Sequence, residues 1–407
     1  MDLATRALTV LLALSACRRA PRPSPPTTDV PPVAVDVPPP PRPLDVPPPP
    51  SAPSMYRLDP RRTGRSGWRL PLDPVVLRRL PAGGRVTTQP VALSDGTIVT
   101  TSHDGVVRAY TRAGELRWQS ATGDRIYSTP LVGDDGALYV GTDADRFVAL
   151  TARGHVRVAL GTDDDADTSP VRAPDGALRF AAGHTLWSAD ADLTVRWRLD
   201  VGGKLFSSPA VGADGVTVIG SQDDHLYAVN ADGTVRWSFA TEGDVDCTPA
   251  LGSDGTAWVG SDDGSVYAVD ASGAQRWRAR VGGYVRGGVA LGLDGAVVVG
   301  TWGPRPRVVA LDAATGEERW SVPVAGPPTR DYGVASAALV DARGDYAIGT
   351  PADEVLLIER GGGVRARVAL PADVDSAPML VDDALMAVGC DDGAVYLIGE
   401  RTAGDAG

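Results

Sequence analysis

Residues 248–280 read TPALGSDGTAWVGSDDGSVYAVDASGAQRWRAR, four short apolar-alternating runs separated by Ser-Asp-Gly, Asp-Asp-Gly and Ala-Ser-Gly. Alternation with period two puts one face of each run in a core and the other toward solvent, which is the pattern of a β-strand. Asp-Gly and Ser-Gly steps tolerate the positive φ of tight hairpins, so the four runs are expected to fold as one antiparallel meander. Standing alone, such a sheet buries one face only. It needs copies of itself on either side.

The copies are present. A Thr/Ser-Pro-like step recurs at Gln89-Pro90, Thr129-Pro130, Ser169-Pro170, Ser208-Pro209, Thr248-Pro249, Gly288-Val289, Ser336-Ala337 and Ala377-Pro378, at spacings of 40, 40, 39, 40, 40, 48 and 41. An Arg-Trp-like step falls between them at Trp118, Trp197, Trp237, Trp277 and Trp320, with Val158 and Val368 read as its two aliphatic replacements. Four strands per 40 residues, repeated radially, predict an all-β, eight-bladed β-propeller over residues 55–400. The last unit has three strands. The reading therefore closes the ring by pairing an N-terminal strand at Gly67-Trp68-Arg69-Leu70 with the C-terminal blade, which leaves no open edge. A seven-bladed ring with a stray segment is the competing arrangement.

The N-terminal region has a different character. One basic residue, Arg6, precedes an apolar run from Leu8 to Leu14 and then Leu14-Ser15-Ala16-Cys17, which resembles a bacterial lipobox. In lipoproteins of that pattern the cysteine is acylated and becomes the mature N-terminus, so residues 1–17 are expected to be a signal peptide ending at lipidated Cys17. Several acyl chains on one residue hold a protein stably at a membrane. Residues 18–54, with runs such as VPPPPRPLDVPPPP, favour polyproline II and are expected to be a disordered tether; residues 401–407 are expected to be a disordered tail.

ALDAATGEERW, Ala310 to Trp320, is similar to the tryptophan-docking motif of the pyrroloquinoline-quinone (PQQ) type of propeller repeat, with weaker copies ending at Trp118, Trp237 and Trp277. The resemblance implies that these tryptophans, with Trp68 and Trp197, dock neighbouring blades. It implies two different functions. In quinone-dependent dehydrogenases a quinone sits on the axis with a Ca²⁺ held by Glu, Asn and Asp, and many members carry a vicinal disulfide. Here no cysteines are adjacent, and the single asparagine, Asn230, falls at a third-to-fourth-strand turn. No cofactor or metal is therefore expected, and no catalytic residue is assigned. The other function is that of the BamB-like lipoproteins of outer-membrane β-barrel assembly, a non-enzymatic scaffold for protein partners; an independent envelope lipoprotein with its own partner stays open beside it.

A net charge of −12 opposes the phosphate neutralisation that nucleic-acid binding requires. A monomer with protein partners is the expectation. The 48-residue spacing places extra residues at Gly300–Arg307 and between Trp320 and Ala337. Trp302, Arg305, Arg307, Arg330 and Tyr332, joined by Tyr284 and Arg286, are of the types enriched at interface hot spots. They form the candidate contact patch. Asp163, Asp164, Asp165 and Asp167 lack ion-loop spacing and are read as a solvated turn; His103, His184 and His225 are read as surface residues of second-to-third-strand loops. Cys247 and Cys390 fall three blades apart, which puts a disulfide out of reach.

Overall fold

The computed structural model describes residues 54–326 and 333–401, and among them there is no helix. They form eight four-stranded antiparallel sheets. Blades one to seven span Val91–Ala121, Leu131–Gly161, Val171–Asp200, Ala210–Ala240, Ala250–Arg280, Ala290–Pro323 and Leu339–Ala369. The eighth joins Met379–Asp382, Leu385–Cys390 and Ala394–Glu400 to the N-terminal strand Pro74–Pro81. The first strand of each blade lies nearest the axis.

Local chemistry explains each blade. In the first-to-second-strand turns an Asp carboxylate accepts the backbone N–H two residues on, as Asp254 does from Thr256 at 3.0 Å, and a glycine at positive φ follows, Gly255 at +78°. This is the Asx-type closure that the Asp-Gly steps encode. The Arg of each Arg-Trp step then reaches back to that turn aspartate: Arg236 to Asp214 at 3.0 Å, Arg276 to Asp254 at 3.2 Å, Arg319 to Asp294 at 3.4 Å. The Trp points the other way. The indole N–H of Trp118, Trp197, Trp237, Trp277 and Trp320 donates to the carbonyl of Ala152, Ala231, Ala271, Ala313 and Arg360, at 2.8–3.1 Å, in the third-to-fourth-strand turn of the next blade. The ring covers that turn's glycine so closely that a Cβ at Gly273 would lie 2.8 Å from Trp237. One dipeptide thus braces its own blade and docks the next.

Around the axis a second set of bonds closes the circle. The N–H groups of Gln89, Thr129, Ser169 and Ser208 donate to the hydroxyls of Thr129, Ser169, Ser208 and Thr248 one blade on. Ser336 donates to the carbonyl of Ser376, and Ser376 donates to that of Thr88, which joins blade eight to blade one.

Three expectations need correction. The closing strand is Pro74–Pro81 rather than the stretch around Trp68. Arg78, paired with Leu397 as Trp237 is with Ala228, stands at the tryptophan position, while Trp68 packs on the apolar cluster shared by blades seven, eight and one. In blade seven the aliphatic replacement is Ala366, opposite Leu357, and Val368 lies two residues further along. The step there is Ala337-Ala338 rather than Ser336-Ala337, because Ala338 offers Arg57 the carbonyl that Val289 offers in blade six. Both missing tryptophans have a physical reason. Where Val158 replaces Trp, the turn glycine of the next blade becomes Leu193, held at φ +65° and 4% exposed, filling the space; the hydroxyl of Tyr139 donates to the Ala191 carbonyl in place of an indole. Where Ala366 replaces Trp, blade eight takes its fourth strand from residues 74–81 and so has no third-to-fourth-strand turn to dock on.

Cys247 and Cys390 are both buried free thiols, and burial pushes Cys247 up to about 12.

Candidate functional site

Residues 66–70 run outward over the turns of blades seven and eight, and residues 54–65 fill the axis. Their carbonyls accept bonds from the innermost strands at the ends that lead into the first-to-second-strand turns, the turn side of the ring as against the loop side where the chain enters each blade: Val132 N–H to Ser54, Val211 to Pro60, Leu251 to Arg61, Leu291 to Thr63 and Val340 to Gly64. Three arginines secure the segment. Arg57 donates to the carbonyls of Ala338 and Val289, Arg62 to those of Pro209, Ser169 and Pro170, and Arg65 to those of Leu291 and Gly292. Burial pulls the Arg62 guanidinium down to about 9, still above neutral pH, so the axis holds real charge solvated by backbone dipoles instead of water.

This plug turns the loop-side end of the axis into a blind funnel of about 480 Å³, with Tyr56 in its lining. One column of the repeat runs round its wall, the residue three before each proline position: Thr87, Tyr127, Asp167, Phe206, Asp246, Arg286, Ala335 and Asp375, all but the last of which line the cavity beside Asp143, Asp165 and the Thr and Ser residues of the axial ring. Tyr127, Phe206 and the nearby Tyr284 are 41%, 43% and 51% exposed, a large fraction for aromatic rings.

The funnel is acidic. The carboxylates of Asp143, Asp165 and Asp167 lie within 4.8 Å of one another, as do those of Asp244, Asp246 and Asp262. Burial, then a hydrogen bond with Asp143, raises Asp167 to about 8. Burial and the neighbouring Asp262 raise Asp246 to about 6, and burial and Asp391 raise Asp375 to about 7. Two of these niches contain an arginine: Arg286 grips Asp262 through Nε at 3.0 Å, and Arg85 pairs with Asp391 and, at 3.5 Å, with Asp375.

Of the candidate contact patch, Tyr284, Arg286 and Trp302 come together. Trp302 N–H donates to the Tyr284 carbonyl at 2.8 Å, and the Arg286 guanidinium stands 5.3 Å and 5.5 Å from the Tyr284 and Trp302 ring centres. Arg305 is exposed at a bend. Arg307 is held against the blades, bound to Glu318 and Ser321 of its own blade and to the Val281 carbonyl at the end of blade five. Arg330 and Tyr332 lie outside the described residues, as does Cys17. Asp165 and Asp167, read as part of a solvated turn, belong to the funnel. His103 also reaches it, bonding Thr87 at 3.0 Å and resting 4.3 Å from the Tyr127 ring. Sequence reasoning passed over Tyr127, Phe206, Asp143, Asp246 and Asp375. The signal was the column itself, which varies in chemistry at one register position while its neighbours stay uniform.

Fold, docking tryptophans and axial funnel together define an eight-bladed propeller of PQQ-type repeats. The family model described as outer membrane protein assembly factor BamB matches residues 54–158 and 262–345. Among solved structures, BamB from Moraxella catarrhalis is similar over 80% of this chain and 99% of that one, at 18% identity and a TM-score of 0.66. Quinohemoprotein alcohol dehydrogenase from Comamonas testosteroni matches over 86% and 81%, at 14% identity and a TM-score of 0.74. A europium-containing methanol dehydrogenase matches over 86% and 98%, at 11% identity and a TM-score of 0.73. At these identities the likeness is one of fold. No curated protein matches the sequence.

Proposed function

We propose that this chain is a non-enzymatic scaffold of the cell envelope that docks a protein partner over the loop-side funnel, in the manner of the BamB-like assembly proteins. In this reading acylated Cys17 holds it at the outer membrane, residues 18–54 act as the tether, and the propeller works as a monomer. The observation that carries the reading is the rim: exposed Tyr127, Phe206 and Tyr284 around a polar hollow, on the face where the repeats differ. Aromatic anchors beside desolvated polar groups are what protein interfaces place at their centres.

The dehydrogenase likeness supports a second reading, and the charge of the funnel opposes it. An axial quinone bearing carboxylates would face Asp143, Asp167 and Asp246, while Arg286 is committed to Asp262. These residues do not fit such a cofactor. Dye-linked alcohol oxidation on adding quinone and Ca²⁺ would restore that reading.

Affinity purification from envelope membranes tests the scaffold. Wild type is expected to recover a discrete protein partner that Phe206→Ala with Tyr284→Ala loses; the same recovery with both rings removed overturns the loop-side assignment. Cys17→Ser is expected to move the protein from the membrane to the soluble fraction.

A further inference from the structure

We infer that the niche formed by Asp143, Asp167, Tyr127 and Phe206 receives an arginine side chain from an extended segment of the partner. The inference rests on the scaffold reading and names what the partner must bring.

The molecule supplies its own controls. Aspartate occupies the funnel column three times, at Asp167, Asp246 and Asp375, and each sits beside further carboxylates. At Asp246 the next blade contributes Arg286, which binds the adjoining Asp262. At Asp375 the next blade contributes Arg85, two residues before the column, which binds Asp391 and Asp375. At Asp167 the corresponding residues are Phe206 and Lys204, and Lys204 turns aside to Asp164 at 3.0 Å. Asp143 and Asp167 are left facing each other and Asp165, with carboxylate oxygens of all three within 4.8 Å. The Oδ1 atom of each is buried and receives no hydrogen bond, as is true of Asp246 and Asp391, but at those two an arginine stands in the niche. An open cavity leads directly to them, and the two rings that flank it, Tyr127 and Phe206, are exposed.

A guanidinium fits this combination better than an ammonium. Its planar fork can satisfy two facing carboxylates at once, its three-carbon stem can lie along aromatic faces, and its plane can stack on a ring. The axis shows the same preference on its other side, where Arg57, Arg62 and Arg65 from the chain's own segment are accepted by backbone oxygens. A cationic segment would also be steered by the net charge of −12.

The test is calorimetric titration of the full-length protein at pH 8 with acetyl-Gly-Arg-Gly-amide and with the same peptide carrying citrulline, the neutral isostere. The arginine peptide is expected to bind at least tenfold tighter than the citrulline one. Asp143→Asn with Asp167→Asn is expected to remove that preference. Asp192→Asn, which makes the same kind of charge change in an exposed turn of the opposite face, is expected to leave affinity within twofold. Phe206→Ala keeps every charge and is expected to weaken binding severalfold, so the result does not depend on the double variant alone. Equal binding of both peptides, an equal loss with Asp192→Asn, or displacement of the peptide by millimolar calcium chloride would overturn the inference. If membranes yield a partner whose recovery the Asp143/Asp167 variant does not change, the inference fails and the scaffold stands; if wild type recovers no partner at all, the scaffold fails first.

Discussion

The two faces of this propeller are made of the same repeats and obey different constraints. On the turn side every blade but the last presents a third-to-fourth-strand turn, and five of those turns lie under the indole of the preceding blade. Changing one partner there forces a change in the other, as Val158 and Leu193 show. On the loop side the matching column holds Thr, Tyr, Asp, Phe, Asp, Arg, Ala and Asp. Nothing in the docking scheme restricts it. The indole docking bonds all lie on the uniform face, and under the proposed scaffold the varied face is the one left for recognition.

The strongest way to break this division is on the turn side. Trp277→Ala removes a nearly buried indole and leaves the Ala313 carbonyl with only the longer bond from Trp258, at 3.3 Å; by analogy with other large-to-small core changes it should cost about 3–4 kcal/mol, read as a lower urea midpoint. A midpoint within 0.5 M of wild type would show that the docking bond does not hold the blades together. A smaller effect sharpens the comparison. Val158→Trp should destabilise by roughly 1–3 kcal/mol because Leu193 occupies the indole's space, and adding Leu193→Gly should recover most of the loss. Additivity of the two changes in a double-mutant cycle would contradict the compensation described here.

The loop side should respond to pH instead. Asp167 is raised to about 8 in the fold, against a carboxylate value near 4 when unfolded. A raised acid stabilises the fold while protonated, so this contribution is complete below about pH 4 and is lost as pH climbs toward 8. Burial is its largest cause; Asp143 and Asp165 add to it, and Lys204 acts in the opposite sense. Asp167→Asn should therefore change stability little at pH 5 and raise it by about 1–2 kcal/mol at pH 8.5. A variant no more stable than wild type at pH 8.5 would mean that neither burial nor the neighbouring carboxylates penalise a charged Asp167.

Much of the fold was legible because blade formation and docking are local: Asp-Gly closes a hairpin within five residues, and Arg-Trp recurs at a fixed offset. The closing strand was harder to find. Pro74–Pro81 begins and ends in proline, which argues against an interior strand, and it carries Arg78 where the pattern asks for Trp; Trp68, a few residues earlier, supplied a false landmark. The position is an outer edge, where proline is tolerated. The axial plug left no pattern at all, since Arg57 and Arg62 are buried against carbonyls contributed by blades more than 100 residues away. The funnel is intermediate. Asp165, Asp167, Tyr284, Arg286 and Trp302 stood out as residue types, but only the closed ring aligns the column that gathers Asp246, Phe206 and Tyr127 into one wall.

Phe206, in the segment that enters blade four, and Val235, in that blade's fourth strand, are exposed apolar positions on the two faces, and a photo-crosslinking amino acid placed at each in turn compares them directly. Incorporated at Phe206 on the loop side, p-benzoylphenylalanine should yield a discrete protein adduct in intact cells, and at Val235, beside the third-to-fourth-strand turn, none. An adduct at Val235 with none at Phe206 would place recognition on the uniform face and contradict the account.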